Sequence, residues 1–311
     1  MKIDKRRIRK SLHRSQKTFL LAYRQFRTFV LEGFEHFEQK FEHKSLSKME
    51  HLTGKVVMIT GAGGMIGSEI SRQLLKISPE RILLVGHGPQ SIYTIEYELR
   101  KQLGDQTEII PIIMNIQDKK RIFEVVELYT PDVIYHTAGN HQIDFTEEQF
   151  AEAVYENALG TNNIAEAANR YNVEVFVLVS SGQAENPTNL LEVTKRLSEV
   201  IVESISQTSL TKYIIIRLPG FFFTEQLASK FYPVFEQQVE VINAVQKVLQ
   251  IGGTTSAFDK GDLTQYKNKF VYTELQQQKE LSQIEMARLL KQLKTASEDE
   301  VQELVISIIK Q

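Results

Sequence analysis

Short apolar segments recur along most of the chain and alternate with stretches of helical periodicity. Six such segments, each bounded by polar or glycine-containing residues, lie at 55–60, 81–85, 108–113, 132–136, 175–180 and 213–217. Between them, apolar residues three and four positions apart predict helices at 66–77, 90–103, 119–129 and 148–171. Nearly continuous apolar strands that alternate with helices are typical of a parallel sheet covered on both faces. The pattern therefore predicts an α/β fold with a doubly wound parallel sheet.

Beyond residue 223 the strand signal weakens and helical spacing remains. This spacing predicts helices at 231–249, 274–293 and 301–309, the last of them preceded by a capping box at Ser297–Glu300. We therefore divide the chain into an N-terminal helical arm at 1–50, a sheet domain at 51–223 and a reduced, mainly helical C-terminal lobe at 224–311.

The N-terminal arm is predicted to be one long helix with an aromatic-rich face. Its apolar positions recur every three, four or seven residues: Ile8, Leu12, Phe19, Tyr23, Phe26, Val30, Phe34, Phe37 and Phe41. The interpretation we favour is that this face packs on the chain's own body or on a second subunit, which predicts a homo-oligomer. The alternative is a peripheral membrane contact through the basic segment 1–31. The acidic residues Glu32 to Glu42 would repel an anionic surface and disfavour it.

The composition is that of an ordinary globular chain of 311 residues with a formal net charge of −2. No overall field favours nucleic acid as a partner. The chain has no cysteine and its seven histidines are scattered, so no metal site is expected. No apolar run approaches the roughly 20 residues of a membrane-spanning helix. Because Arg24 and Arg27 also interrupt a signal-peptide core, we expect a cytoplasmic protein.

A glycine-rich loop joins the first predicted strand to the first predicted helix, and it reads Thr60-Gly-Ala-Gly-Gly-Met-Ile-Gly67. In this context Gly61 allows a tight turn, Gly64 lets the backbone approach a pyrophosphate and Gly67 permits close packing of helix on strand. The sequence thus predicts a Rossmann-type site for NAD or NADP. The residues expected to bind the cofactor are Gly61, Gly63, Gly64, Met65, Ile66, Gly67, His87, Asn115, Ile116, Thr137, Ala138 and Gly139.

The end of the second predicted strand bears on the choice between NAD and NADP. An acid at this position would bind the ribose 2′-hydroxyl, but the sequence has Gly86-His-Gly88 there. Without that carboxylate nothing repels a 2′-phosphate, and His87 is placed to approach one. We therefore lean slightly towards NADP.

Several longer segments carry a family resemblance. They are Gly61-Ala-Gly-Gly-Met-Ile-Gly-Ser-Glu69, Ser91-Ile-Tyr-Thr-Ile-Glu96, Pro131-Asp-Val-Ile-Tyr-His136, Asn157-Ala-Leu-Gly-Thr-Asn-Asn-Ile-Ala-Glu-Ala-Ala168, Asn186-Pro-Thr-Asn189 and Thr194-Lys-Arg196. Together they resemble the polysaccharide-biosynthesis family of nucleotide-sugar dehydratases and epimerases, extended short-chain dehydrogenases typified by UDP-N-acetylglucosamine 4,6-dehydratases. The resemblance implies that Lys195 binds the nicotinamide ribose, that Asn157 belongs to the cofactor site and that Ser180 or Ser181 offers a catalytic hydroxyl.

Three chemical groups of the family pattern are missing from this chain. Gly182 stands at the carboxylate position, Gln183 at the adjacent lysine and Leu191 at the methionine or tyrosine, and none of them can move a proton. Glu185 is a candidate for a displaced acid and His141 for a base, although a solvated glutamate and a structural histidine are the interpretations we favour. The stretch that grips the uridine diphosphate in the family is also shortened, with no arginine between Lys230 and Lys260.

Three hypotheses follow from these losses. The first, which we favour, is a degenerate family member that binds NAD(P), is impaired for 4,6-dehydration and acts as a partner of related polysaccharide enzymes. The second is an active nucleotide-sugar dehydratase or reductase that uses Lys195, Ser181 and a water, with a nucleotide sugar as substrate. The third is a structural oligomerisation protein.

Overall fold

A computed structural model of the chain describes residues 49–102, 107–139, 147–185, 187–218, 245–246, 248–249, 271–274 and 283–309. All of them belong to one compact unit that begins at Met49. The aromatic face expected at 8–41 lies outside the described residues. The same is true of most of the helix expected at 231–249 and of the shortened diphosphate-binding stretch.

Within the described residues, seven strands form a single sheet in the order β3-β2-β1-β4-β5-β6-β7. Strands β1 to β6 are parallel, and β7 pairs antiparallel with β6. Their bounds are β1 Val56–Thr60, β2 Arg81–Gly86, β3 Glu108–Ile113, β4 Val133–His136, β5 Val175–Ser181, β6 Lys212–Leu218 and β7 Val271–Glu274. The six predicted strands and the doubly wound α/β architecture are confirmed.

Helices connect the parallel strands and cover the sheet. They are α1 Met65–Leu75, α2 Pro89–Gln102, α3 Lys119–Tyr129, α4 Glu147–Val154, α5 Gly160–Arg170, α6 Leu190–Ser206, α7 Gln283–Thr295 and α8 Glu298–Ile309. A π-helical turn, Tyr155–Leu159, joins α4 to α5, and a short 3-10 turn, Gly182–Glu185, follows β5. None of the helices in these ranges combines the length and hydropathy that a membrane crossing requires.

The central strands are apolar because both of their faces are covered. Every residue of β1 and of β4 is buried, whereas β3 has exposed residues at both of its ends. The core continues into the C-terminal helices, where Leu293 and Val301 are buried in the same cluster. Burial on both faces explains why the inner strands have no polar alternation in the sequence.

Side-chain caps fix where several helices begin. Asp118 accepts a hydrogen bond from the backbone N–H of Arg121 at 3.0 Å, and Asn189 accepts one from that of Glu192 at 3.0 Å. At α8 the carboxylate of Glu300 accepts from the backbone N–H of Ser297 at 2.8 Å, which is the reciprocal contact of the predicted capping box.

The structure differs from the sequence-based expectation in three elements. The helix expected to begin at Glu274 is wrong at its start, because Glu274 ends β7 and α7 begins at Gln283. A four-residue strand is too short for periodicity to reveal, and the pairing of β7 with β6 decides its conformation. The helix expected at 148–171 is interrupted by the π turn. Helix α6, which the apolar pattern left unassigned, runs from Leu190 to Ser206.

Candidate functional site

A cleft lies where the carboxyl ends of β1, β2 and β4 meet, which is where ligands bind in open parallel sheets. Its wall is formed by the glycine loop and by the residues that follow the neighbouring strands. The lining residues are Gly61, Gly63, Gly64, Gly86, His87, Gly88, Ser91, Met114, Ile116, Thr137, Ala138, Gly139 and Glu156. Six of the thirteen are glycines, so much of this wall is bare backbone.

The glycine loop is held tightly against the segment that follows β4. Gly61 has a φ of +73°, and a Cβ atom there would lie 2.7 Å from the backbone nitrogen of Ala138. A Cβ atom at Gly67 would overlap the carbonyl oxygen of Gly61. The hydroxyl of Thr137 donates to the carbonyl of Thr60 at 2.8 Å and so ties the two segments together. Glycine is therefore required at the turn and at the contact between α1 and the loop.

The expected cofactor residues fall into two groups by their position. Most of them line the cleft, including His87, Ile116 and the segment Thr137–Gly139. Ile66, in contrast, is buried in the core at 6% exposure, and Met65 is 44% exposed. The side-chain oxygen of Asn115 accepts a hydrogen bond from the backbone N–H of Gln117 at 2.8 Å, so it caps its own turn. For Ile66 and Asn115 the structure shows packing and capping roles.

Besides the two glycines that flank His87, three lining residues were missed by sequence reasoning. Ser91 lies in the first turn of α2, and its hydroxyl donates to the carbonyl of Gly88 at 2.9 Å. Met114 follows β3, and Glu156 immediately precedes Asn157 in the π turn. Ser91 follows Gly88 by three residues, and this short spacing is a local signal that could have indicated Ser91 as a lining residue. No local signal indicates Glu156, because it reaches the cleft only through the fold.

Lys195 and Asn157 converge on Gly139 at one end of the cleft. Gly139 has a φ of +152°, and a Cβ atom there would lie 3.0 Å from Nζ of Lys195 and would overlap Oδ1 of Asn157. The Lys195 side chain is only 6% exposed, and burial lowers its pKa to about 8, against the opposing effect of Glu156. The structure thus brings together two residues that the family resemblance assigned to the cofactor site.

A buried hydrogen-bond network fixes Asn157. Its side-chain amide donates to Oγ1 of Thr194 at 2.7 Å, and its carbonyl accepts from the hydroxyl of Ser198 at 2.9 Å and from that of Thr161. The ring of His136 links Thr161, 2.9 Å from Nε2, to Thr60, 2.6 Å from Nδ1. Burial and the charge of Lys195 lower the pKa of His136 to about 3. His136 is therefore neutral near pH 7 and connects strands rather than exchanging protons.

The segment after β5 holds the positions of the missing acid and base groups. Ser180 and Ser181 are buried at 1% and 4% exposure, and Oγ of Ser180 has no hydrogen-bond partner within the described part of the chain. Gly182 begins the 3-10 turn, and Leu191 is 5% exposed on α6. Gln183 lies in the same turn, while His141 lies outside the described residues. Apart from the two serine hydroxyls, the described side chains at these positions are aliphatic or absent.

Glu185 has an ionic neighbour. Its carboxylate lies 3.7 Å from NH1 of Arg217, and its side chain is 59% exposed. Arg217 itself forms a bidentate pair with the fully buried carboxylate of Glu199, at 2.9 and 2.7 Å. Arg196 also contacts Glu199, at 3.1 Å. This exposure and pairing favour the solvated interpretation of Glu185 over that of a displaced acid.

Comparison with known proteins places this site in a family. A family model described as "Polysaccharide biosynthesis protein" matches residues 57–246, more than half of the chain. The capsular polysaccharide biosynthesis protein CapD of Staphylococcus aureus is 40% identical over 192 residues, which are 61% of this chain and 31% of that protein. The probable polysaccharide biosynthesis protein EpsC of Bacillus subtilis is 39% identical over 191 residues, again 61% of this chain and 31% of that protein.

Among solved structures, Pen from Bacillus thuringiensis is similar over 52% of this chain and 49% of its own, with 28% identity and a TM-score of 0.47. The chain spans about a third of the length of CapD and EpsC, 31% in each case. The match to the family model begins at Val57, the second residue of β1, and covers the rest of the six parallel strands, the glycine loop and Lys195. The chain belongs to the polysaccharide biosynthesis protein family.

Proposed function

We propose that the sheet domain binds a nicotinamide dinucleotide in the cleft, with the pyrophosphate against the loop from Gly61 to Gly67. The observation that carries this proposal is the wall of bare backbone, to which six glycines contribute. The first turn of α1 adds unpaired N–H groups and the positive end of the helix dipole at the same place. Backbone donors of this kind suit phosphate oxygens, which approach closely only where no side chain intervenes.

The remaining lining residues fit the other parts of such a ligand. Met114 and Ile116 form an apolar surface after β3 that suits an adenine ring. At the opposite end, Lys195 supplies a buried cation beside Gly139, where a ribose hydroxyl would meet it. When bound, the nicotinamide would supply hydride transfer; the chain's own residues bind, orient and exclude water.

We further propose that NADP is preferred over NAD. His87, Gly88 and Ser91 line the cleft beyond β2, and no carboxylate among the described lining residues follows that strand. A 2′-phosphate placed there would meet the imidazole of His87 and the hydroxyl of Ser91 without a repelling charge.

Titration calorimetry with NADP+, NADPH, NAD+ and NADH tests both statements. We expect saturable binding of at least one nucleotide, with tighter binding of the phosphorylated pair. Absence of any heat or thermal shift at about 1 mM of all four nucleotides, which corresponds to less than about 4 kcal/mol of binding free energy, would contradict the proposal.

For the reaction, we infer that this chain alone does not dehydrate UDP-N-acetylglucosamine. Elimination requires that a poor leaving group be protonated as it departs, and loss of positioned acid or base catalysis typically costs about 10²–10⁴ in rate. Gly182 and Leu191 cannot donate that proton, whatever the position of the sugar. The proposed role is therefore a dinucleotide-binding family member that serves as a partner of polysaccharide enzymes.

One observation supports a second candidate, an active nucleotide-sugar dehydratase or reductase. Burial lowers the pKa of Lys195 to about 8, which is close enough to neutrality for a proton donor. Ser181 lies buried at the end of β5, where its hydroxyl would assist.

Incubation of the protein with UDP-N-acetylglucosamine and NADP+, followed by NMR of the sugar, separates the two candidates. We expect no 4-keto product. Turnover on the order of one per second would contradict the impaired role. Its loss in Lys195→Ala would then assign the chemistry to this site.

A further inference from the structure

Glu156 and Lys195 lie beside the same cleft, on two different elements. Glu156 lies in the π turn and lines the cleft together with Gly139. Lys195 reaches Gly139 from α6, and a Cβ atom on that glycine would lie 3.0 Å from Nζ. Glu156 is half-buried, whereas Lys195 is 6% exposed. The cleft therefore has a carboxylate in its lining and an ammonium group against Gly139, and neither the glycine motif nor the family pattern assigns a role to Glu156.

The other ionisable side chains around Lys195 are either uncharged or paired with other residues. From β4 it faces His136, which is uncharged near pH 7 because its pKa is lowered to about 3. On α6, one turn before it, Glu192 accepts hydrogen bonds from Thr188 and Asn189. One turn after it, Glu199 is held by two arginines. Within the described part of the chain, Glu156 is the carboxylate whose charge opposes the effect of burial on the pKa of Lys195.

We propose that Glu156 is a positioning residue that keeps the Lys195 side chain charged and directed at Gly139. A buried ammonium group without a counter-charge is costly, so its charge depends on a nearby carboxylate. The role of the pair towards a ligand rests on the dinucleotide-binding function proposed above. The pair itself is a property of the protein alone and is tested without any ligand.

The first measurement compares the thermal stability of wild type and Glu156→Gln as a function of pH. The attraction between Glu156 and Lys195 stabilises the folded state below the pKa of Lys195 and is lost as pH rises through about 8. We expect the variant to melt about 2–4 °C below wild type near neutral pH. The difference should shrink above about pH 9, where Lys195 is neutral in both folded proteins.

Two variants control this measurement. Glu152→Gln removes an exposed glutamate four residues earlier, on the adjoining helix α4, and its effect on stability should not change with pH. In a Lys195→Met background, Glu156→Gln should no longer produce a pH-dependent difference. A stability loss in Glu156→Gln that is the same at every pH, or that persists without Lys195, would overturn the charge pair.

The second measurement follows NADP+ affinity over the same pH range. Wild type should lose affinity as Lys195 loses its proton, and Glu156→Gln should move the midpoint about one pH unit lower. Glu156→Asp, which keeps the charge, should hold the midpoint closer to wild type. A merely structural effect would instead weaken binding equally at all pH values.

The two measurements separate the two proposals. If wild type binds no nucleotide while the stability difference depends on pH as expected, the cofactor proposal fails and the charge pair stands. If nucleotides bind but neither the stability difference nor the midpoint responds to Glu156, the charge pair is wrong and the cofactor proposal stands.

Discussion

The two halves of the sheet differ in which features of the family pattern they have. The half built from β1, β2 and β4 carries the glycine loop, with the positive φ of Gly61 and the bare backbone of the cleft wall. The half built from β5, α6 and β6 is equally well packed, yet Gly182 and Leu191 stand at the positions where the family resemblance places proton-handling groups. Binding depends on backbone conformation and packing, whereas proton transfer depends on single side chains. Substitutions can therefore remove chemistry from one half without disturbing the fold of either.

The largest effect is expected in the second half, where an ion network stabilises the fold. Glu199→Gln should lower the free energy of unfolding by about 3 kcal/mol, because Arg217 and Arg196 would lose the buried carboxylate that they share. Each would keep its second contact, Arg217 with Glu185 at 3.7 Å and Arg196 with Glu203 at 3.1 Å. Urea denaturation measures this change in the free energy of unfolding. The matched control is Glu174→Gln, whose carboxylate is 57% exposed beside Lys55, with an expected loss below about 1 kcal/mol. Equal losses of unfolding free energy in Glu199→Gln and Glu174→Gln would show that the buried ion network stabilises this half no more than an exposed ion pair does.

The next effect concerns the first half. Gly61→Ala should weaken dinucleotide binding by about 100-fold or more, which is about 2.7 kcal/mol, since the new methyl group would press on Ala138 and the turn must shift. Gly54→Ala is the control, because Gly54 also has a positive φ, of +70°, but nothing lies within 4 Å of its Cβ position. Undiminished affinity in Gly61→Ala would place the ligand away from this loop.

A smaller effect distinguishes the two nucleotides. His87→Ala together with Ser91→Ala should weaken NADP+ binding by about 10-fold, the loss of one or two hydrogen bonds to a charged group, and should leave NAD+ affinity within about 2-fold. Calorimetry with both nucleotides gives the ratio. An equal loss of affinity for NADP+ and NAD+ would show that these side chains shape the cleft and do not select for the 2′-phosphate.

The smallest effect is expected from restoring the lost groups. Gly182→Asp, Gln183→Lys and Leu191→Met together should leave the dehydratase activity below detection, because the sequence also predicts a shortened diphosphate-binding stretch. The variant should still fold: a Cβ atom at Gly182 lies at an ordinary 3.4 Å from the carbonyl of Leu218, and leucine to methionine conserves volume. Appearance of 4-keto product would show that the chemistry of the second half was the only defect.

Local patterns in the sequence determined much of this protein. Each buried strand has to be apolar along its length, and a turn with positive φ favours glycine, so six strands and the loop at Gly61 were predictable one segment at a time. The family resemblance likewise indicated Lys195 and Asn157. These features depend on neighbours along the chain or on a continuous motif.

The tertiary structure alone decided the rest. Glu156 acquires its significance because the π turn brings it into the lining of the cleft, at which Lys195 arrives from another helix. Strand β7 exists because β6 offers an edge to pair with. His136 is neutral and Ile66 is a core residue because both are buried by elements distant in sequence. Burial and electrostatic coupling depend on distances in space between residues far apart along the chain, and no local pattern contains those distances.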